Sequence, residues 1–94
     1  MIFPILAEFI GTFVFVSVIL SVSQPIPIAV ALLSAIYFAG HISGGHFNPA
    51  VSTVFLANGT ITAKKYSGYI VAQILGALCA LYFNKLTTTA AVKR

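Results

Sequence analysis

The side chains able to do chemistry are few and concentrated. The stretch His41-Ile42-Ser43-Gly44-Gly45-His46-Phe47-Asn48-Pro49-Ala50-Val51-Ser52 is Gly-rich and polar inside an apolar sequence, and Glu8 is the single acidic residue. Asn48-Pro49-Ala50 has the form of a helix start: Asn is a favoured N-cap, and Pro at the first helical position lacks only an N–H that has no partner there anyway. A capping Asn accepts from its own first turn through the side-chain oxygen, which leaves its NH2 free to donate. Set at the positive end of a helix, that donor suits transient hydrogen bonding to a small neutral molecule rather than bond making. No nucleophile, base and oxyanion donors come together in the pattern, so an enzyme is not expected. His41 and His46 lack a third ligand or a neighbouring acid, which makes a poor metal site; neither metal nor cofactor is expected. Glu8, an ionisable group within an apolar run, is a functional candidate by default.

The elements that must hold these residues are membrane helices. Of the 94 residues, 60% are hydrophobic and 6% are charged, too few for the surface of a soluble fold. The five basic residues, Lys64, Lys65, Lys85, Lys93 and Arg94, stand at the ends of apolar runs, where they reach headgroups; the net charge of +4 carries no nucleic-acid signal. The apolar run from Ile2 to Val22 is too long for a targeting core, has no basic residue before it, and contains Glu8 and Gly11, so it reads as the first spanning helix. Ser23-Gln24-Pro25 with Pro27 marks a turn, and a second helix is expected over residues 26–40, short for a full span.

Residues 41–47 then read as a re-entrant segment, since irregular backbone at membrane depth is tolerated only against protein or a water-filled cavity. The half-helix starting at Asn48 runs to about residue 57 and stops at the Asn58-Gly59 turn; it rises about 13 Å, nearly half a bilayer. Thr62 can cap a last helix over residues 63–84, followed by a polar tail, 85–94, expected to fray. Within that helix Gly68, Ala72, Gly76 and Ala80 form a small-residue stripe that lets another helix approach closely. Cys79 is alone and cannot form an intrachain disulfide. The expected fold is an all-α, multi-pass integral membrane protein of three transmembrane helices and one re-entrant half-helix.

The twelve-residue stretch from His41 to Ser52 resembles the first signature loop of the aquaporin and aquaglyceroporin (major intrinsic protein) family. Ala7-Glu8-Phe9-Ile10-Gly11-Thr12 and Ala72-Gln73-Ile74-Leu75-Gly76-Ala77 agree with its flanking helices, and the resemblance covers nearly the whole sequence in the right order. It implies a passive channel for water or small uncharged solutes such as glycerol or ammonia. It further implies that Gly44, Gly45, His46 and Phe47 present backbone carbonyls to the pore, that Asn48, Pro49 and Ala50 form the pore motif, and that Glu8 and Gln73 brace the loop. Histidines of this kind are mostly structural parts of the loop in that family.

Family members combine two such halves, inverted with respect to each other, and this sequence resembles the first half. The expected completion is an antiparallel homodimer within the lipid bilayer, with such pores assembling further into a tetramer. Helix parity puts Lys64 and Lys65 with the amino terminus on one face and Lys85, Lys93 and Arg94 on the other, so the positive-inside bias is close to nil. By the family's spacing the filter at each mouth would be Ile28 from one chain against Ile36, Gly45 and Val51 from the other, with Val51 where the family carries Arg; Pro25 and Pro27 weaken the alignment at Ile28. Such mouths are apolar, without fixed positive charge. Two alternatives stand beside this reading. One is a proton-coupled exporter using Glu8, similar to the small multidrug-resistance family, although those have four spans and no half-helix. The other is a non-conducting half that needs a different second half.

Overall fold

The computed structural model describes residues 1–91. Four helices follow one another: α1 (Ile2–Ser21), α2 (Pro25–Ser43), α3 (Pro49–Ala57) and α4 (Ala63–Ala91). Three are long and apolar enough to cross a membrane, and α3 is the short one, with 9 residues. The chain is thus an all-helical, multi-pass integral membrane protein.

Helix α1 is the hub of the packing. It lies against α2 on one side and α4 on the other, while α3 packs on α4; among the described residues α2 does not pack along α3 or α4 and meets α4 through the end of the helix, where the Tyr69 hydroxyl bonds the Ser43 carbonyl. The α1–α4 seam is made by the small-residue stripe. Gly76 lies so close to α1 that a Cβ added there would stand 2.6 Å from the Phe9 carbonyl oxygen, and at Gly68 it would meet the tip of Ile5. Ala72 and Ala80, at 4% and 0% exposed, complete the seam. In lipid, where apolar side chains gain nothing by leaving the hydrocarbon, such close contact supplies the helix–helix attraction.

Two helix ends differ from expectation. Helix α2 does not stop at Gly40 but continues through His41, Ile42 and Ser43. Nothing in that tripeptide breaks a helix, and the stop is Gly44, left-handed at φ 91°, whose N–H bonds to the Gly40 carbonyl. The irregular segment is correspondingly shorter than residues 41–47. Helix α4 does not end near Asn84 but runs to Ala91, so residues 85–91 of the expected polar tail are helical. Ala and Thr carry no stop signal there, and the Thr87 hydroxyl turns back onto the Phe83 and Asn84 carbonyls. The rest of the tail, with Lys93 and Arg94, lies outside the described residues.

The start of α3 follows its local chemistry. Asn48 is extended, at φ −161° and ψ 124°, and its Oδ1 accepts from the Ala50 N–H at 2.8 Å. Thr62 accepts from the Lys65 N–H at 3.1 Å and so caps α4.

Candidate functional site

Glu8 organises the segment between α2 and α3. Its carboxylate is 0% exposed and takes four hydrogen bonds. Oε2 accepts from the Ser43 hydroxyl at 2.7 Å and the His46 N–H at 3.0 Å. Oε1 accepts from the Phe47 N–H at 2.8 Å and the Gln73 Nε2 at 2.9 Å. Three of these partners can only donate, so both carboxylate oxygens serve as acceptors. One acid on α1 thereby ties together the end of α2, the loop and α4.

Gln73 spends both amide protons, one on Glu8 and one on the Ser52 hydroxyl at 2.9 Å. Turning the amide over would set its oxygen against the carboxylate, so the orientation is determined. Ser52, on α3 and 0% exposed, also bonds His46 Nδ1 at 2.7 Å. The His46 ring is stacked on Phe55 with centroids 4.8 Å apart and meets the edge of Tyr69 at 5.0 Å. Tyr69 is fully buried; its hydroxyl donates to the Ser43 carbonyl at 2.6 Å, and Lys65 Nζ lies 5.6 Å from its ring centroid. Phe47, left-handed at φ 52°, drives its ring into the space that the missing side chain of Gly11 leaves on α1.

These bonds polarise the loop. The Gly44 N–H goes to the Gly40 carbonyl, the Gly45 N–H to the Ser43 hydroxyl at 3.1 Å, and those of His46 and Phe47 to Glu8. Among the described residues no donor bonds the carbonyl of Gly44, Gly45, His46 or Phe47. Four consecutive donors are consumed internally while four acceptors stay free. The row leads directly to Asn48, which with Pro49 and Ala50 is exposed at the tip of α3. A cavity of about 260 Å³ lies beside that tip, walled by Phe47, Asn48, Pro49, Thr12 and Gln73 among others.

Of the other residues singled out by sequence, Ile36 lies against Gly45, where a Cβ would meet its Cγ1 at 3.4 Å. Val51 is half-buried in the first turn of α3, and Ile28 lies eight positions before Ile36 on α2, about 12 Å along the helix. Within one chain Ile28 therefore does not join the Ile36–Gly45 pair. His41 is exposed, whereas His46 is internal. Among the described residues no three His, Cys, Asp or Glu side chains converge.

Sequence reasoning did not single out Ser43, Ser52 or Tyr69 as members of this network. Residues 2–94 match the major intrinsic protein family along essentially their whole length. The chain belongs to the major intrinsic protein family. Similar proteins include glycerol uptake facilitator protein-like 6 of Lactiplantibacillus plantarum, 46% identical over 84 residues, covering 80% of this chain and 39% of that protein. Aquaporin Z of Photorhabdus laumondii is 37% identical, with 79% and 38% covered, and Aquaporin Z of Brucella melitensis is 40% identical, with 79% and 39% covered. The chain thus spans about two-fifths of the length of these family members.

Proposed function

We propose that this chain forms one wall of a passive channel for water and small uncharged solutes, completed by a second copy inserted in the opposite orientation. The observation that carries the reading is the polarised loop, with Gly44, Gly45, His46 and Phe47 offering carbonyls in a row that ends at the exposed Asn48. A permeant water or hydroxyl is passed along the acceptors and meets a donor, the Asn48 NH2, at the positive end of α3. Two such walls put two donors and two positive helix ends at the centre of the passage, so cations and protons meet an electrostatic barrier there.

The need for a second wall is supported by the packing. Among the described residues α2 packs lengthwise on α1 alone and α3 on α4 alone, and the tip of α3 is exposed beside a cavity. The buried Gln73 Oε1 and Thr12 Oγ1, both on residues that border this cavity, have no hydrogen-bond partner among the described residues. An apolar groove of about 350 Å³ between α1 and α2 leaves a further face for assembly of such pores into a tetramer. In the symmetric pair Ile28 of one chain faces Ile36, Gly45 and Val51 of the other, giving two apolar mouths that admit glycerol-sized neutral solutes and orient water weakly. Exclusion of protons then rests on the central pair of half-helices. The exporter reading is disfavoured by Glu8, whose two oxygens already carry four hydrogen bonds and which is 0% exposed.

Stopped-flow light scattering on proteoliposomes tests this function. The wild type raises both water and glycerol permeability above empty vesicles, without dependence on a proton gradient, and Asn48→Asp abolishes the rise. No flux above empty vesicles sinks the channel reading.

A further inference from the structure

We infer that Tyr69 is the positioning residue for the carbonyl row, an inference that rests on the channel reading for its effect on selectivity. Between Ser43, the last residue of α2, and His46 stand only Gly44 and Gly45, both left-handed at φ 91° and 66°. Glycine has the widest backbone freedom of any residue, so the direction of these two carbonyls is set by what anchors either flank. Glu8 grips both flanks from α1, through the Ser43 hydroxyl and the His46 N–H. Tyr69 grips both from α4: its hydroxyl takes the Ser43 carbonyl at 2.6 Å, and its ring edge bears on the His46 imidazole at 5.0 Å.

The two grips act differently. Glu8 consumes donors. Tyr69 consumes one acceptor, the carbonyl immediately before the free row, and so decides that the row begins at Gly44. Without the hydroxyl the Ser43–Gly44 peptide keeps its N–H on the Gly40 carbonyl but has no partner for its oxygen, so it is held at one end instead of two, and the first carbonyl of the row tilts with it as far as the Gly45 N–H bond to the Ser43 hydroxyl allows. The wall then loses its narrow, regular spacing of acceptors, which matters more to single-file water than to a solute that brings several hydroxyls of its own.

Tyr69→Phe removes the hydroxyl and keeps the ring packed on His46. Residues 44 and 45 are the one Gly-Gly pair in the sequence, so uniform [¹³C′,¹⁵N]-glycine labelling creates a single doubly labelled peptide bond, at the Gly44 carbonyl. Solid-state NMR of the full chain in lipid is expected to show that signal shifted or broadened in Tyr69→Phe. In proteoliposomes the ratio of glycerol to water permeability is expected to rise about twofold or more. Tyr66→Phe is the control, since the Tyr66 hydroxyl bonds Thr53 at 3.0 Å, away from the loop, and leaves both readouts in place. An unmoved Gly44 carbonyl signal in Tyr69→Phe overturns the inference, even when thermal stability falls, because a merely structural tyrosine lowers stability alone. A moved signal with an unchanged permeability ratio overturns the role in selectivity. If the wild type carries no flux, the channel reading falls, while the Gly44 signal still decides whether Tyr69 sets the row.

Discussion

At the scale of single residues, the account depends on a buried carboxylate surrounded by donors. Glu8→Gln keeps the shape but turns one oxygen into an NH2. Whichever way the amide lies, an N–H of the loop or of Gln73 then faces another donor. Leaving one buried donor unpaired costs about 1–3 kcal/mol. Thermal unfolding of the chain in detergent is therefore expected to shift downward for Glu8→Gln, and an unchanged midpoint would contradict the assigned network. Part of this network was legible in the sequence. Asn48 and Pro49 announce themselves locally, because capping and the first helical position depend on adjacent residues. Glu8 stands out as the one acid in an apolar run, and Gln73 by its setting within a family-like motif. Ser43, Ser52 and Tyr69 were not legible. Each is an ordinary polar residue on its helix, and its partner lies far along the chain: 35 positions for Ser43 to Glu8, 26 for Tyr69 to Ser43 and 21 for Gln73 to Ser52. No periodicity encodes such pairs; the packing of α1, α3 and α4 creates them.

At the scale of helices, the small-residue stripe makes a graded prediction. A methyl at Gly76 meets backbone, the Phe9 carbonyl oxygen at 2.6 Å, and backbone in a helix cannot step aside. A methyl at Gly68 meets the end of Ile5, a side chain with other rotamers to adopt. Gly76→Ala is thus expected to destabilise by about 1–3 kcal/mol. Gly68→Ala, which also gains helix propensity, should stay within about 1 kcal/mol of wild type. Comparable losses at the two positions, measured by unfolding in mixed micelles, would mean that α1 and α4 are not held by this seam. The stripe was visible as a four-residue repeat, but its asymmetry was not, since spacing alone does not tell which glycine faces backbone. Helix ends show the same limit. The start of α3 was legible because Asn-Pro is a positive signal. The ends of α2 and α4 were misjudged where a stop was inferred from polarity: His41 to Ser43 and the Thr-rich run after Asn84 are polar yet compatible with a helix, and α2 yields only to the left-handed Gly44.

At the scale of the whole molecule, the proposed wall has one finished side. Its buried acid and the donors bound to it lie inside, while Gly44, the tip of α3 and most of α2 are exposed or half-exposed. Three spans and a half-helix were legible because lipid demands long apolar runs and leaves irregular backbone conspicuous. The partner of the open side was not, because a surface that another wall covers and a surface that lipid covers have the same apolar composition. The central claim is that an inverted copy of the same chain supplies the second wall, and inversion has a direct readout. Lys64 is exposed at the start of α4, which helix parity puts on the same side as the amino terminus of its own copy. In a Cys79→Ser background, Lys64→Cys is to be labelled with a membrane-impermeant maleimide on intact cells expressing the chain, with total thiol counted after permeabilisation. Two antiparallel copies per pore predict labelling of about half the molecules from outside. Labelling of all of them, or of none, would contradict the inverted pair.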